Sequence, residues 1–218
     1  MVEPAPPDRP RRRPGRPAYL RPREVPRRSQ LRDAGIQPLL TATTDITIPV
    51  WPKGPKHTSG TKKGQDSHDE DWFNRQIAKQ AGYQLFDKKN IVTSFYRGGG
   101  LEICDVLSPD CELICVKKAT SSAPLSHLFT QAVNAVTALR TDNEVAKKFR
   151  DRIARHNPGH PMTRDIGTLK VVFAILLNDG EEITTDSLFP FSQISLVRSL
   201  IKLRTMNTEV RVVAIKRS

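Results

Sequence analysis

Two short apolar runs, Leu101-Glu102-Ile103-Cys104-Asp105 and Glu112-Leu113-Ile114-Cys115-Val116-Lys117-Lys118, flank the loop Ser108-Pro109-Asp110, and this spacing predicts a β-hairpin. The first run closes on a carboxylate and the second on ammonium groups, in elements where charges are scarce unless paired, metal-bound or exposed. With Asp105 and Lys117 on one face, the hairpin offers a metal-binding acid beside a cation. Magnesium-dependent phosphodiester cleavage needs that combination: hard oxygen ligands around an octahedral ion, and a cation near the attacking water or the scissile phosphate. The competing reading is a surface hairpin whose charged ends are simply solvated.

Further acids and a polar helix residue extend the set. Glu70 precedes Phe73 and Ile77 by three and seven residues, so it shares the inward face of a first helix and is the best second metal ligand, with Asp71 next. Gln131 flanks an apolar helical stripe and is placed to contact the phosphate or the lysine. His127, one turn earlier, points further towards solvent. Cys115 shares the face of Lys117 in a period-two strand, so no acid stands two residues before the lysine. Cys104, Cys111, Cys115 and His127 do not have the close spacing of a zinc site, and buried thiols behave as small hydrophobes.

The elements that must hold these residues follow from periodicity. Acids Asp69, Glu70 and Asp71 before Trp72, Phe73 and Ile77 open a helix from about Asp69 to Ala81, with Gly82 as its stop. Tyr83 to Phe86 and Ile91 to Tyr96 read as an interrupted strand, and Gly98-Gly99-Gly100 turns into the hairpin. Leu125, Leu128, Phe129, Ala132, Ala135, Val136 and Leu139 form one stripe of a second helix. A polar helix over about Asn143 to Ala154, a doubly buried strand Leu169 to Leu177, a helix capped by Ser192 and a last strand from Val210 complete the chain. The order predicts an α/β fold: a mixed central sheet flanked by helices.

Composition sets the boundaries. The 218 residues carry a net charge of +12 and 17 prolines. Residues 1–32 hold ten arginines against three carboxylates, with eight of the prolines and no apolar periodicity. Residues 1–37 are therefore expected to be a disordered Arg/Pro-rich tail, residues 38–64 an irregular linker, and residues 65–218 a single α/β domain. Clustered guanidinium groups suit a phosphate backbone, although such composition also arises from translated GC-rich sequence. No secretory signal and no membrane-spanning run is present, and three clustered cysteines fit a reducing compartment, so the expected location is cytoplasmic.

The helix, three strands, helix and strand resemble the αβββαβ core of the restriction-endonuclease-like, PD-(D/E)XK, superfamily, with an added helix and strand. That resemblance implies an acid ending the second strand, an acid-x-lysine on the third and a further acid on helix one; Asp105, Lys117 and Glu70 match, and Cys115 departs. The segments Asp71 to Ile91, Leu101 to Lys118 and Ser121 to Ala135, with VVFAILL and Phe189 to Leu196, are similar to the sporadically distributed bacterial protein family of unknown function. The resemblance implies an association with mobile or defence genes, a His-Val-Lys where this chain has Cys115-Val116-Lys117, and a carboxy-terminal part of a longer protein. The expected function is action on DNA or RNA as a divalent-metal-dependent nuclease, with Mg²⁺ held by Asp105 and Glu70 and with Lys117 and Gln131 in catalytic roles. The alternative is a non-catalytic nucleic-acid-binding or partner-binding module.

Overall fold

The computed structural model describes residues 48–218 except 168, 179 and 185; the expected tail and the first part of the linker lie outside them. Helix α1 spans Glu70–Ile77, strand β1 Gln84–Leu85, β2 Val106–Leu107 and β3 Glu112–Ala119. Helices α2 (Ser122–Thr141) and α3 (Asn143–His156) follow, then β4 (Lys170–Leu177), α4 (Pro190–Thr205) and β5 (Glu209–Ala214). The five strands lie side by side in chain order. The β1-β2-β3 meander is antiparallel, whereas β3, β4 and β5 run parallel. Such parallel neighbours need crossovers, and α2-α3 and α4 supply them.

Alternation along β3 and β4 divides the core into two layers. Leu113, Cys115 and Ala119 with Val171, Phe173 and Ile175 meet the apolar stripes of α2, α3 and α4. Ile114 and Val116 with Val172, Ala174 and Leu176 face Phe73 and Ile77 of α1, together with Trp51. The period of two thus produces a three-layer fold in which strands are covered on both sides. All seven residues of the predicted α2 stripe are buried.

Among the described residues, those before α1 form no helix or strand, yet Trp51 is fully buried. Its ring stacks on Phe73 at a centroid distance of 4.4 Å, and its indole N–H donates to the His68 carbonyl at 2.8 Å. Its amide bonds the Lys216 carbonyl at 2.9 Å, tying this segment to the end of the chain.

Four local expectations need correction. Helix α1 stops at Ile77, not Ala81, because the Lys79 and Gln80 amides bond carbonyls three residues back and tighten the chain into turns. The segment Ile91 to Tyr96 forms no strand: the Thr93 hydroxyl captures the amides of Phe95 and Tyr96, leaving only a bridge from Ile91 to Leu101. The hairpin pairs at Val106 and Leu107; of the residues before them, Leu101 bridges Ile91 and the Asp105 amide bonds the Ile114 carbonyl. Helix α4 begins at Pro190, whose fixed φ suits a first turn; Ser192 lies inside it and donates to the Ser122 carbonyl at 3.4 Å.

Candidate functional site

Helix α1 is aimed by its cap. Asp69 accepts a hydrogen bond from the Trp72 amide at 3.1 Å, and Glu70 and Asp71 occupy the first turn, where the helix dipole favours negative charge. Burial of Phe73 and Ile77 then fixes Glu70 across the carboxyl end of β3. One Glu70 oxygen accepts from the Lys117 ammonium at 2.8 Å and the other from the Lys118 amide at 3.1 Å.

Asp105 is held by backbone. Its amide donates to the Ile114 carbonyl, and its carbonyl receives both the Phe86 amide at 2.7 Å and the Asp87 amide at 2.8 Å. That double donation brings the Asp87 side chain alongside. The Asp105 carboxylate accepts from the Val116 amide at 2.7 Å. Glu102 completes a trio: one ligand oxygen from each of Asp87, Glu102 and Asp105 lies within 4.8 Å of the others. Gln131, reaching from α2, donates to Glu102 at 2.6 Å, and the Lys88 amide donates to its other oxygen at 3.2 Å.

Asp87 and Asp105 line an open cavity of about 450 Å³, together with Glu70, Asp71 and Asn74 of α1 and with Lys88 and Lys118. Asn74 is 1 % exposed, and its side-chain carbonyl oxygen has no hydrogen-bond partner. Burying an amide oxygen without a partner is costly, so this atom is poised for a donor or a cation.

The electrostatics point the same way. Burial pushes the Asp105 carboxyl up to about 7; the Val116 amide opposes this, while Glu102, Asp87 and Glu70 reinforce it. Asp87 is also raised, first by burial and then by its hydrogen bond with Asp71; Asn74 and Lys88 act against this. In Asp71 the upward push of burial is outweighed by that bond and by Lys88, so its carboxyl is held below its ordinary value while that of Asp87 is raised. Carboxyls crowded in this way are relieved by a proton or by a multivalent cation.

The four residues singled out from sequence thus fall into two sets of contacts: Glu70 with Lys117, and Gln131 with the carboxylate trio that contains Asp105. Glu70 stands outside the trio, engaged by the lysine. The Cys115 thiol is buried against α2 and pushed well up, foremost by burial, with Asp105 and Glu102 adding to the shift. Asp87, Glu102 and Asn74 were not legible as site residues. Asp87 reads as part of a charged turn with Lys88 and Lys89, and Glu102 as an ordinary exposed strand position. The available signal was Glu102 itself, a lone carboxylate between Leu101 and Ile103. His127 is exposed.

The chain is therefore a mixed α/β protein with a carboxylate cluster beside the carboxyl end of a central strand, the usual place for ligands in such sheets. Residues 29–216 match the Family of unknown function (DUF6119), and the chain belongs to that family. No curated protein and no solved structure matches it. Among the described residues, no helix is long and apolar enough to cross a membrane.

Proposed function

We propose that the domain is a divalent-metal-dependent phosphodiesterase of nucleic acid, built on a restriction-endonuclease-like core. The observation that carries this reading is the convergence of Asp87, Glu102 and Asp105 within 4.8 Å beside the cavity into which the chain also brings Asn74. The element order agrees with the αβββαβ pattern, and an acid precedes the second strand.

The residues fit a hard cation. Their donors are all oxygens, the Asp105 and Asp87 carboxyls are pushed towards protonation by burial and by neighbouring acids, and the Asn74 oxygen lacks a partner. Asp105, Glu102 and Asp87 would hold Mg²⁺, which when bound polarises a phosphoryl oxygen and makes water a better nucleophile. Gln131 orients Glu102, and the Val116 amide orients Asp105. Lys117, fixed by Glu70, and Lys118 at the cavity wall would take the negative charge that develops on the phosphate. In this reading Glu102 and Asp87 supply the ligands missing at Cys115, and Glu70 is a positioning residue for the lysine.

Incubation of the purified chain with DNA and RNA plus Mg²⁺ or Mn²⁺ tests the proposal. Cleavage should be abolished by Asp105→Asn and by Glu102→Gln, and reduced at least 100-fold by Lys117→Ala. No turnover by the unaltered chain, or turnover indifferent to those changes, overturns it. Cys115 favours a second reading, a nucleic-acid-binding module without turnover; binding that persists without cleavage under every metal condition selects that one.

A further inference from the structure

A basic groove leads away from the carboxylate cavity across α3. Lys88, Lys89 and Asn90 face Arg152, Arg155 and His156 over an open cavity of about 570 Å³. A second hollow of about 460 Å³ shares Asn90, Arg152 and Arg155 with the first and adds Lys148. Lys88 also lines the carboxylate cavity, so the basic hollow lies next to the acidic one.

The groove is built rather than incidental. The Arg152 guanidinium donates to the Lys89 carbonyl and, at 3.4 Å, to the Asn90 carbonyl. Lys148 donates to the Val92 carbonyl at 2.7 Å. Two cations of α3 thereby pin the facing loop and fix the groove's width. The carboxylates of this region are already engaged: Asp151 by Lys147 and Glu144 by Lys148, each at 2.7 Å. No described carboxylate forms an ion pair with Lys89 or Arg155, and both are exposed. The Arg152 guanidinium is pulled down by burial and by Arg155, a like-charge strain that an anion would relieve. Phe95, 82 % exposed, stands on the pinned loop and offers a face on which a base can stack.

We infer that this groove binds the phosphodiester backbone of a nucleic acid and leads it to the carboxylate cavity. The choice of ligand rests on the function proposed above; a concave groove next to a carboxylate cavity favours a strand over a flat anionic membrane.

The test is fluorescence anisotropy of a short labelled DNA duplex and single strand in EDTA, across a salt series, so that turnover plays no part. All variants of the full chain carry serine in place of the ten arginines between Arg9 and Arg32, which would otherwise bind by themselves. Lys89→Glu with Arg155→Glu should weaken binding at least tenfold and make the log K against log salt slope shallower by about 1.8, as for two lost phosphate contacts. Lys56→Glu with Lys63→Glu, an equal change of charge at exposed lysines elsewhere, should leave affinity within about twofold. Circular dichroism confirms that each variant folds. Equal losses in both variants, absence of salt-sensitive binding, or binding only to phosphatidylserine vesicles overturns the inference. Groove-dependent binding without metal-dependent cleavage leaves it standing and defeats the nuclease reading instead.

Discussion

Gln131, in the middle of α2, donates a 2.6 Å hydrogen bond to Glu102, which lies in the loop leading to β2. The bond spans 29 residues of sequence and fixes one carboxylate of the trio from the far layer of the fold. Outer groups that hold metal ligands in place commonly govern affinity by 10- to 100-fold, roughly. Gln131→Ala should therefore weaken Mn²⁺ binding, measured by calorimetry, by about tenfold while the thermal midpoint changes little. Gln131→Glu should weaken it further, because a like charge then faces Glu102.

The raised carboxyl of Asp105 makes stability depend on pH. Its folded-state value of about 7 lies above the 3.8 of an unperturbed aspartate, so the folded chain binds the extra proton between those values. Stability from this group is complete below pH 4, approximately, and is lost as pH rises through about 7, by an amount on the order of a few kcal/mol. Urea titrations without divalent ions should show that decline, and Asp105→Asn should flatten it. Mn²⁺ binding runs oppositely: it should strengthen towards neutral pH and release protons, detected as a heat that varies with buffer ionisation.

The sheet and its covering helices were readable because periodicity reports burial. The α2 stripe and the apolar run of β4 each had one consistent reading, and both elements form where the pattern puts them. The carboxylate trio was less accessible, because contact across a loop has no period. Asp87 reaches Asp105 only because two consecutive amides, Phe86 and Asp87, donate to one carbonyl. Nothing in Phe86-Asp87-Lys88-Lys89 encodes that convergence locally. Lys117 lies in β3, two residues before its end, and its partner depends on where α1 starts, which the Asp69 cap decides.

Trp51 lies in a stretch without helix or strand, yet it closes one side of the core. It stacks nearly parallel on Phe73, at 6°, and satisfies its N–H internally. Trp51→Ala should cost about 3–5 kcal/mol, the range for removing a large buried aromatic. Trp51→Phe should recover much of that by keeping the stack while losing the hydrogen bond. Urea denaturation followed by far-ultraviolet circular dichroism distinguishes the two variants without relying on tryptophan fluorescence.

The Glu70–Lys117 pair separates stability from chemistry. Both side chains are partly exposed, at 35 % and 28 %, so the ion pair contributes no more than about 1 kcal/mol. Glu70→Gln should thus leave the thermal midpoint within a few degrees of its original value, about 2–4 °C. If Lys117 needs that carboxylate to stay at the rim, cleavage should fall by roughly 100-fold in the same variant, with little change in metal affinity. Parallel loss of metal binding would instead place Glu70 among the ligands.

Cys115 occupies the strand position where an acid would complete an acid-x-lysine pattern, so Cys115→Asp asks whether this fold accepts one. The thiol is 4 % exposed within the layer covered by α2, close enough to Asp105 and Glu102 for both to raise its pKa. A carboxylate there would enter an apolar layer and face acids already crowded together. Burial of an unpaired charge costs several kcal/mol even after relaxation, so the metal-free variant should melt roughly 10 °C lower. Cys115→Ser, which adds polarity without charge, should lose less than half of that. If the new carboxylate can turn towards Asp105, Mn²⁺ should restore more of the midpoint in Cys115→Asp than in the unaltered chain; differential scanning fluorimetry with and without Mn²⁺ reads that difference directly.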